Sequence, residues 1–347
     1  MTSAGRTTWR RLGPATAEEA SMQMRTLGRT GLKTSVLGFG CGAVGGLMTK
    51  GDPADQERAV ARALEAGINY FDTAAIYGNG ESEKNLGRVL ARLKPDVVVG
   101  TKVRLLPEQM STIGAAIVEA LEASLRRLGL ESVDLFQLHN PIETSGRPGS
   151  IRVEAVLDEV VPAFERLRRA GKIRFAGITA TGESGALRRV VDAQAFDTAQ
   201  VMYNMLNPSA GGPMPTHAPG QDYGRLLEHT KKARMGVIGI RALAGGALSG
   251  SEARHPLAMQ VVDPIGSGRD FRADVERARR FEALIREGIA SSLTEAAMRF
   301  AIAHDGMTTM IIGYSTMDHL EQAIAAAEKG PLPRAALDRV AALAAQR

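Results

Sequence analysis

The sequence contains very little cysteine and no long apolar run, and each absence excludes a class of protein. Cys41 is the only cysteine among 347 residues, which rules out an internal disulfide and a cysteine-based metal site, and we predict no metal centre. A single thiol is compatible with a reducing compartment, so we predict a cytoplasmic protein. No stretch of about 18 apolar residues occurs, so no membrane-spanning helix is expected.

The amino-terminal segment also lacks the features of a secretory signal. Arg10 and Arg11 are followed by residues 12–19, where Gly, Pro, Thr and Glu interrupt any apolar core. We predict that residues 1–21 form a disordered tail and that residues 22–347 form a single domain, with Met22 or Met24 as an alternative start.

The charge of the chain is close to balanced and does not single out a nucleic-acid partner. There are 43 basic and 38 acidic residues, a net charge of +5. The basic residues are scattered, and the Arg-Arg pairs fall in helical patterns, as expected for solvated helix faces. Nucleic-acid binding is the alternative, and it would be strongly salt-dependent. We predict a small-molecule substrate, with no nucleic acid and no membrane as partners. A monomer and a homo-oligomer both remain open.

What the sequence does contain is a regular alternation of short β-rich runs and longer helical runs after an amino-terminal hairpin over residues 24–36. Strands are predicted at residues 36–40, 69–72, 97–102, 135–139, 174–179, 199–202, 236–240 and 309–312. Helices are predicted at residues 53–66, 82–92, 113–128, 153–170, 185–193, 223–233, 294–304 and 317–328, with additional helices at 272–286 and 334–345. Eight such units predict an α/β fold, a (β/α)8 TIM barrel with an N-terminal β-hairpin and extra C-terminal helices.

A doubly wound sheet is the alternative fold, and one glycine-rich segment tests it. Residues 38–42 begin as G-x-G, but a loop over residues 45–48 precedes any helix. The dinucleotide-binding fingerprint requires its helix directly after the turn. The sequence therefore favours the barrel.

Four chemically active residues stand at or just after predicted strand ends: Asp72, Tyr77, Lys102 and His139. In a barrel these ends share one face, which carries the active site. An ammonium near a phenol stabilises the phenolate, and at ~4 Å with an effective dielectric of ~20 it contributes about 4 kcal/mol before burial acts the other way. Asp72 can hold Lys102, and His139 can orient a carbonyl oxygen. Each residue alone could be structural, but the combination favours proton transfer by Tyr77.

The chain resembles the aldo-keto reductase superfamily over residues 24–328. The resemblance rests on residues 27–35, 66–74, 77–78, 81–83, 124–129, 133–139, 171–178 and 200–204. It implies hydride transfer between a nicotinamide dinucleotide and an aldehyde, ketone or alcohol, with Asp72, Tyr77, Lys102 and His139 as the catalytic tetrad.

The resemblance also implies a set of cofactor contacts. Gln200 matches the side chain that binds the nicotinamide carboxamide, Ile240 replaces the usual stacking aromatic residue, and Arg241 replaces a small hydroxyl residue. The implied cofactor-binding residues are Cys41, Gly42, Asp72, Thr179, Gln200, Ile240, Arg241, Leu243, Gly245, Gly313, Ser315, Thr316, His319 and Gln322. No residue matches the usual cations for a 2′-phosphate, so the cofactor is NADP(H) or NAD(H), with the family default favouring NADP(H) slightly.

Two other functions remain open at this point. One is an NAD-dependent sugar (aldose) dehydrogenase of the same fold. The other is a nicotinamide-binding regulatory subunit with little turnover, against which the intact tetrad argues. Cys41 is expected to pack as a small residue, with a reactive thiol as the alternative.

Overall fold

The structure, a computed structural model, describes residues 22–346; the tail predicted for residues 1–21 lies outside them. Within this range, eight parallel strands close into a barrel with helices around it, which confirms the predicted fold class. The strands are β1 (Met24–Thr26), β2 (Lys33–Ser35), β3 (Leu37–Gly40), β4 (Tyr70–Asp72), β5 (Val98–Val103), β6 (Val133–Leu138), β7 (Ile142–Glu143), β8 (Ile151–Arg152), β9 (Ile173–Thr179), β10 (Thr198–Met202), β11 (Gly236–Ile240) and β12 (Thr309–Gly313). Around the barrel the order is β3-β4-β5-β6-β9-β10-β11-β12, closing back on β3.

The helices follow the strands in the alternation that the sequence predicts. They are α1 (Leu47–Lys50), α2 (Pro53–Glu65), α3 (Glu81–Leu93), α4 (Ile113–Leu128), α5 (Val153–Ala155), α6 (Val161–Arg169), α7 (Ser184–Asp192), α8 (Leu226–Lys232), α9 (Phe271–Arg279), α10 (Ala283–Arg286), α11 (Leu293–Ala301), α12 (Met317–Glu328) and α13 (Arg334–Ala344). Short 3-10 turns occupy Gly28–Thr30, Pro107–Gln109, Ala244–Ser249 and Arg280–Glu282. Helix α2 begins where predicted, because the Asp52 carboxylate accepts the Ala54 N–H at 2.8 Å and proline follows the cap.

The amino-terminal hairpin is confirmed, and it closes one end of the barrel. Strands β1 and β2 pair antiparallel. The turn between them packs on the amino end of β11, where the Arg29 N–H donates to the Arg234 carbonyl at 2.8 Å. The buried Leu27 side chain joins a small apolar cluster with residues of β4, β5, β6 and β11. This cluster fills the lower part of the barrel, below the carboxyl ends of the strands.

Several predicted boundaries were wrong. The helix predicted over residues 153–170 is interrupted by a π-helical segment, Val156–Val160. Pro162 lies in the first turn of α6, and because proline has no N–H it removes one helical hydrogen bond at this junction. The helix predicted over residues 272–286 is divided by the turn Arg280–Glu282. Leu47 and Met48, predicted as part of a loop over residues 45–48, form the start of α1. The loop after β6 contains a small parallel pair, β7 and β8.

Candidate active site

The four residues predicted for proton transfer meet at the carboxyl ends of neighbouring strands. Asp72 is the last residue of β4, Lys102 lies near the end of β5, and His139 directly follows β6. Tyr77 stands in the loop after β4, and its ring lies edge-on to His139 with centroids 5.8 Å apart. Parallel strands bring their carboxyl ends to one face, which explains why residues distant in sequence converge.

Lys102 and Asp72 form a buried ion pair beneath Tyr77. The Lys102 ammonium donates to Asp72 Oδ1 and, at 2.7 Å, to the Thr73 carbonyl oxygen. It lies 4.8 Å from the centroid of the Tyr77 ring. Burial opposes its charge, but Asp72 and Tyr77 outweigh burial and raise the pKa of Lys102. The lysine is therefore a fixed positive charge next to the phenol.

The pKa of Tyr77 is affected more by burial than by the charge of Lys102. Burial raises the pKa of the Tyr77 phenol above its ordinary value, while Lys102 acts in the opposite direction. The sequence predicts that Lys102 lowers the pKa of Tyr77, but burial of the phenol outweighs this effect. The phenol is therefore protonated at neutral pH and can donate its proton.

His139 is held in its neutral form. Burial, with the charges of Lys102 and Arg104, lowers the pKa of His139 to about 3. Its Nδ1 atom is buried without a hydrogen-bond partner among residues 22–346. A neutral imidazole can donate one hydrogen bond to a carbonyl oxygen and carries no charge of its own into the site.

The second oxygen of Asp72 is the centre of a polar network that sequence reasoning missed in part. Asp72 Oδ2 accepts hydrogen bonds from the Tyr70 hydroxyl at 2.7 Å, from Gln200 Nε2 at 2.7 Å and from Gln137 Nε2 at 3.2 Å. Gln200, predicted to bind a nicotinamide carboxamide, thus donates its amide to Asp72 and directs its oxygen toward Thr179 Oγ1, 3.4 Å away. Tyr70 and Gln137 could have been found from strand alternation, since each lies two residues before a tetrad residue.

A cavity of about 1470 Å³ opens beside the tetrad and runs from the centre of the barrel mouth toward β12. It is lined by Tyr77 and His139, and also by Arg104, which the sequence analysis did not single out. Most of the predicted cofactor residues line it: Gly42, Asp72, Thr179, Gln200, Ile240, Arg241, Leu243, Gly245, Gly313, Ser315, His319 and Gln322.

Two predicted cofactor residues do not line this cavity. The Cys41 side chain is fully buried, its thiol directed to the Phe39 carbonyl at 3.9 Å, and burial raises its pKa. Thr316 caps α12, where its hydroxyl accepts the His319 N–H at 3.2 Å. The side chains of both residues therefore serve the fold in this structure.

The end of the cavity near β12 has few cations that are free to bind an anion. Arg254 donates to three backbone carbonyls, those of Met259, Gly245 and Val44. Burial, together with neighbouring His255, lowers the pKa of His319, so this histidine is neutral at pH 7.

Two further properties of the described residues concern metal-binding side chains and membrane-spanning helices. Among residues 22–346, no group of three or more His, Cys, Asp or Glu side chains is arranged to hold a metal ion. In the same part of the chain, every helix is too short or too polar to cross a bilayer.

For this barrel and the side chains at its mouth, comparison with known proteins identifies the class of protein as an oxidoreductase family. The model of the aldo/keto reductase family matches residues 36–345. The chain belongs to this family.

Individual relatives share about a quarter of their residues with the chain over most of its length. L-galactose dehydrogenase from Arabidopsis thaliana is 28% identical over 313 residues, 88% of each chain. A putative voltage-gated potassium channel subunit beta from Schizosaccharomyces pombe is 28% identical over 333 residues, 89% of each chain. The solved structure of aldo-keto reductase AKR11C1 from Bacillus halodurans, in its holo form, superposes with a TM-score of 0.69 at 26% identity, covering 93% of this chain and 96% of that one.

Proposed function

We propose that the protein transfers hydride between a nicotinamide dinucleotide and a carbonyl or alcohol substrate, with Tyr77 as the general acid and base. The observation that carries the proposal is the convergence of a phenol and a neutral imidazole on one cavity, with a buried ammonium 4.8 Å from the phenol ring. A protonated donor, a fixed charge that stabilises its conjugate base and a hydrogen-bond donor for oxygen are what carbonyl reduction requires of a protein.

The residues around the cavity fit an extended dinucleotide. Its volume of about 1470 Å³ exceeds that of a typical small-ligand pocket of roughly 300–1,000 Å³. Gly42 lines the cavity beside Tyr77, where a Cβ atom would be in ordinary van der Waals contact with the ring at 3.6 Å. Gln200 and Thr179 would hold a carboxamide, Ile240 would pack against the nicotinamide ring, and the residues near β12 would hold the adenosine half. When bound, the cofactor supplies or accepts the hydride.

In the reducing direction, the chain's own groups position and protonate the substrate oxygen. His139 donates a hydrogen bond to the carbonyl oxygen, and Tyr77 gives it a proton as negative charge develops there. Lys102 stabilises the phenolate that remains, and Asp72 keeps Lys102 charged and in place. In the oxidising direction the same phenolate removes the proton from the alcohol, so a basic medium favours oxidation.

The end of the cavity near β12, where the adenosine half of the cofactor would bind, favours NAD(H) over the NADP(H) that is the family default. A 2′-phosphate is usually bound by Arg or Lys, but Arg254 is occupied by backbone carbonyls and His319 is neutral at pH 7 because its pKa is lowered. Affinity for NADPH would therefore depend on neutral donors such as Gln322, because the Ser315 hydroxyl already donates to the Gly45 carbonyl at 2.6 Å. This weighs against the slight preference for NADP(H) that the resemblance implies.

Two related functions have specific support. The similarity to a protein named L-galactose dehydrogenase, together with the adenosine end, favours oxidation of a sugar by NAD. The similarity to a protein named as a potassium channel beta subunit keeps a regulatory subunit with little turnover as the alternative. The two differ in whether the purified protein turns over alcohols or aldehydes at all.

The test combines cofactor titration with one substitution. Calorimetric titration with NADH and NADPH measures both affinities, and we expect NADH to bind at least as tightly. Tyr77→Phe should abolish turnover while leaving cofactor affinity within about twofold, because the hydroxyl acts mainly in the transition state. Full activity in Tyr77→Phe would remove the proton-donor assignment, and binding of neither nucleotide would remove the cofactor assignment.

A further inference from the structure

The tetrad stands on a second tier of side chains in the same strands. Tyr70, Gly100 and Gln137 each lie two residues before a tetrad residue, on β4, β5 and β6. Because side chains alternate between the two faces of a strand, both tiers point into the barrel. The lower tier is thus the floor of the proton-transfer site.

This floor contains a buried phenol, Tyr70, among apolar side chains. Tyr70 is completely buried and belongs to the small apolar cluster formed with Leu27 and residues of β5, β6 and β11. A hydroxyl placed among apolar groups is costly unless it forms a hydrogen bond. Within residues 22–346, the Tyr70 hydroxyl donates to Asp72 Oδ2 at 2.7 Å.

Two glycines make the space for this phenol. A Cβ atom at Gly38 would lie 2.9 Å from Cδ1 of Tyr70, and one at Gly100 would lie 2.9 Å from its hydroxyl oxygen and 3.5 Å from Asp72 Oδ2. Side chains at these two positions would therefore move the ring and hydroxyl away from the carboxylate. The two glycines therefore leave room for the Tyr70 ring and also for the hydrogen bond from its hydroxyl to Asp72.

The two oxygens of Asp72 have separate tasks. Oδ1 receives the Lys102 ammonium, while Oδ2 receives Tyr70, Gln137 and Gln200. With one oxygen held by three neutral donors, the carboxylate has a single orientation in which the other oxygen faces the lysine. The orientation of Lys102 beneath Tyr77 depends on this orientation of the Asp72 carboxylate.

We propose that Tyr70 and Gln137 are positioning residues that hold the Asp72 carboxylate, and through it Lys102, in the orientation that sets the proton affinity of Tyr77. The proposal rests on the proposed function and deepens it, because neither residue lines the cavity and both would act on Tyr77 only through Asp72 and Lys102. Burial raises the pKa of Tyr70 well above that of a free phenol, so Tyr70 stays a donor over the working pH range. Gln200 differs from Tyr70 and Gln137, because it donates to Asp72 and also lines the cavity.

The charged and titratable groups that act on this unit come from several elements. Lys102, Asp72 and Arg241 act on Tyr77. Cys41 and Tyr70 face Asp72, and burial raises the pKa of both above their ordinary values, so both stay neutral. A change in the titration of Tyr77 on altering Tyr70 therefore reports the position of the Asp72–Lys102 pair.

Tyr70→Phe tests the proposal, because it keeps the ring and removes the hydroxyl. We expect kcat to fall about tenfold, as for loss of one hydrogen bond to a charged group, with KM changed less than about twofold. We also expect Tyr77 to titrate at higher pH, measured as tyrosinate absorbance and assigned by difference from Tyr77→Phe. Tyr203→Phe is the matched control, since Tyr203 is a buried phenol that does not line the cavity, and it should leave both quantities unchanged.

Gln137→Met provides a second variant of similar length, and it should shift both quantities in the same direction. Wild-type kcat and an unmoved Tyr77 titration in the folded Tyr70→Phe and Gln137→Met proteins would overturn the proposal. A loss that appears equally in KM, or in Tyr203→Phe, would also overturn it, because that pattern indicates general loss of structure. Active Tyr77→Phe refutes the proposed function instead, and the absorbance titration still decides the positioning role without turnover.

Discussion

The charge of Lys102 should control the proton affinity of Tyr77, and Lys102→Met measures how strongly. At the observed 4.8 Å between the ammonium and the ring centroid, an effective dielectric of about 20 gives an interaction of about 3.5 kcal/mol with a phenolate. Removing the Lys102 charge should raise the pKa of Tyr77 and reduce the phenolate population. At roughly 1.4 kcal/mol per factor of ten, the population should fall by two to three orders of magnitude. The rate of alcohol oxidation near pH 8 should fall by the same factor. The assay is the pH dependence of kcat in the oxidising direction, with tyrosinate absorbance as the direct titration.

A control is needed because Lys102→Met leaves Asp72 buried without its partner, which is itself destabilising by about 3–5 kcal/mol. The double variant Asp72→Asn/Lys102→Met removes both charges and keeps the shape of the pair. The double variant should recover stability toward wild type but not activity. If Lys102→Met oxidised alcohols at the wild-type rate near pH 8, the electrostatic account of Tyr77 would be wrong.

Three further outcomes follow from the structure. Because the pKa of His139 is lowered to about 3, the reduction rate should show no histidine limb between about pH 5 and 8, and an inflection there that disappears in His139→Gln would contradict the neutral assignment. The Cys41 thiol is fully buried, so native protein should react with aromatic disulfide reagents only on unfolding; rapid labelling at pH 8 would restore the reactive-thiol alternative. Burial raises the pKa of Glu295, but hydrogen bonds led by that from Lys329 outweigh it and lower the pKa from 4.5 to about 2. Glu295→Gln should therefore cost about 3 kcal/mol of unfolding free energy at pH 7, and denaturant titrations should show the wild-type advantage shrinking as the pH falls from about 4.5 toward 2; an advantage that does not depend on pH would exclude this linkage.

The convergence of Asp72, Tyr77, Lys102 and His139 could be predicted from sequence because it depends on local information. Asp72, Lys102 and His139 stand at the ends of apolar runs, and a parallel barrel brings all such ends to one face. Tyr77 follows Asp72 by five residues, so its position is restricted by the same strand end. Chain order and strand period are then sufficient to place the four groups together, without any knowledge of distances.

Other features depended on packing, which the sequence pattern does not encode. The pKa of Tyr77 depends on how completely the phenol is buried, and the effect of burial outweighs that of Lys102. The resemblance implies that Gln200 binds a carboxamide, and it gave no indication that the Gln200 amide donates to Asp72 across the barrel. The junction at Val156–Val160 depends on how Pro162 redirects helical hydrogen bonds, which an apolar periodicity does not reveal.

The position of Gln200 has a consequence for how cofactor binding and proton transfer are connected. Its Nε2 is bonded to Asp72, and its oxygen lies 3.4 Å from Thr179 Oγ1. A carboxamide that donates to this oxygen would leave the Asp72 bond intact and fix the side chain at both ends. One that accepts from Nε2 would compete with Asp72 and leave its carboxylate held by Tyr70 and Gln137. In the second case Tyr70 and Gln137 alone would maintain the orientation of the carboxylate, so the two glycines that accommodate Tyr70 would matter to the proposed reaction above it.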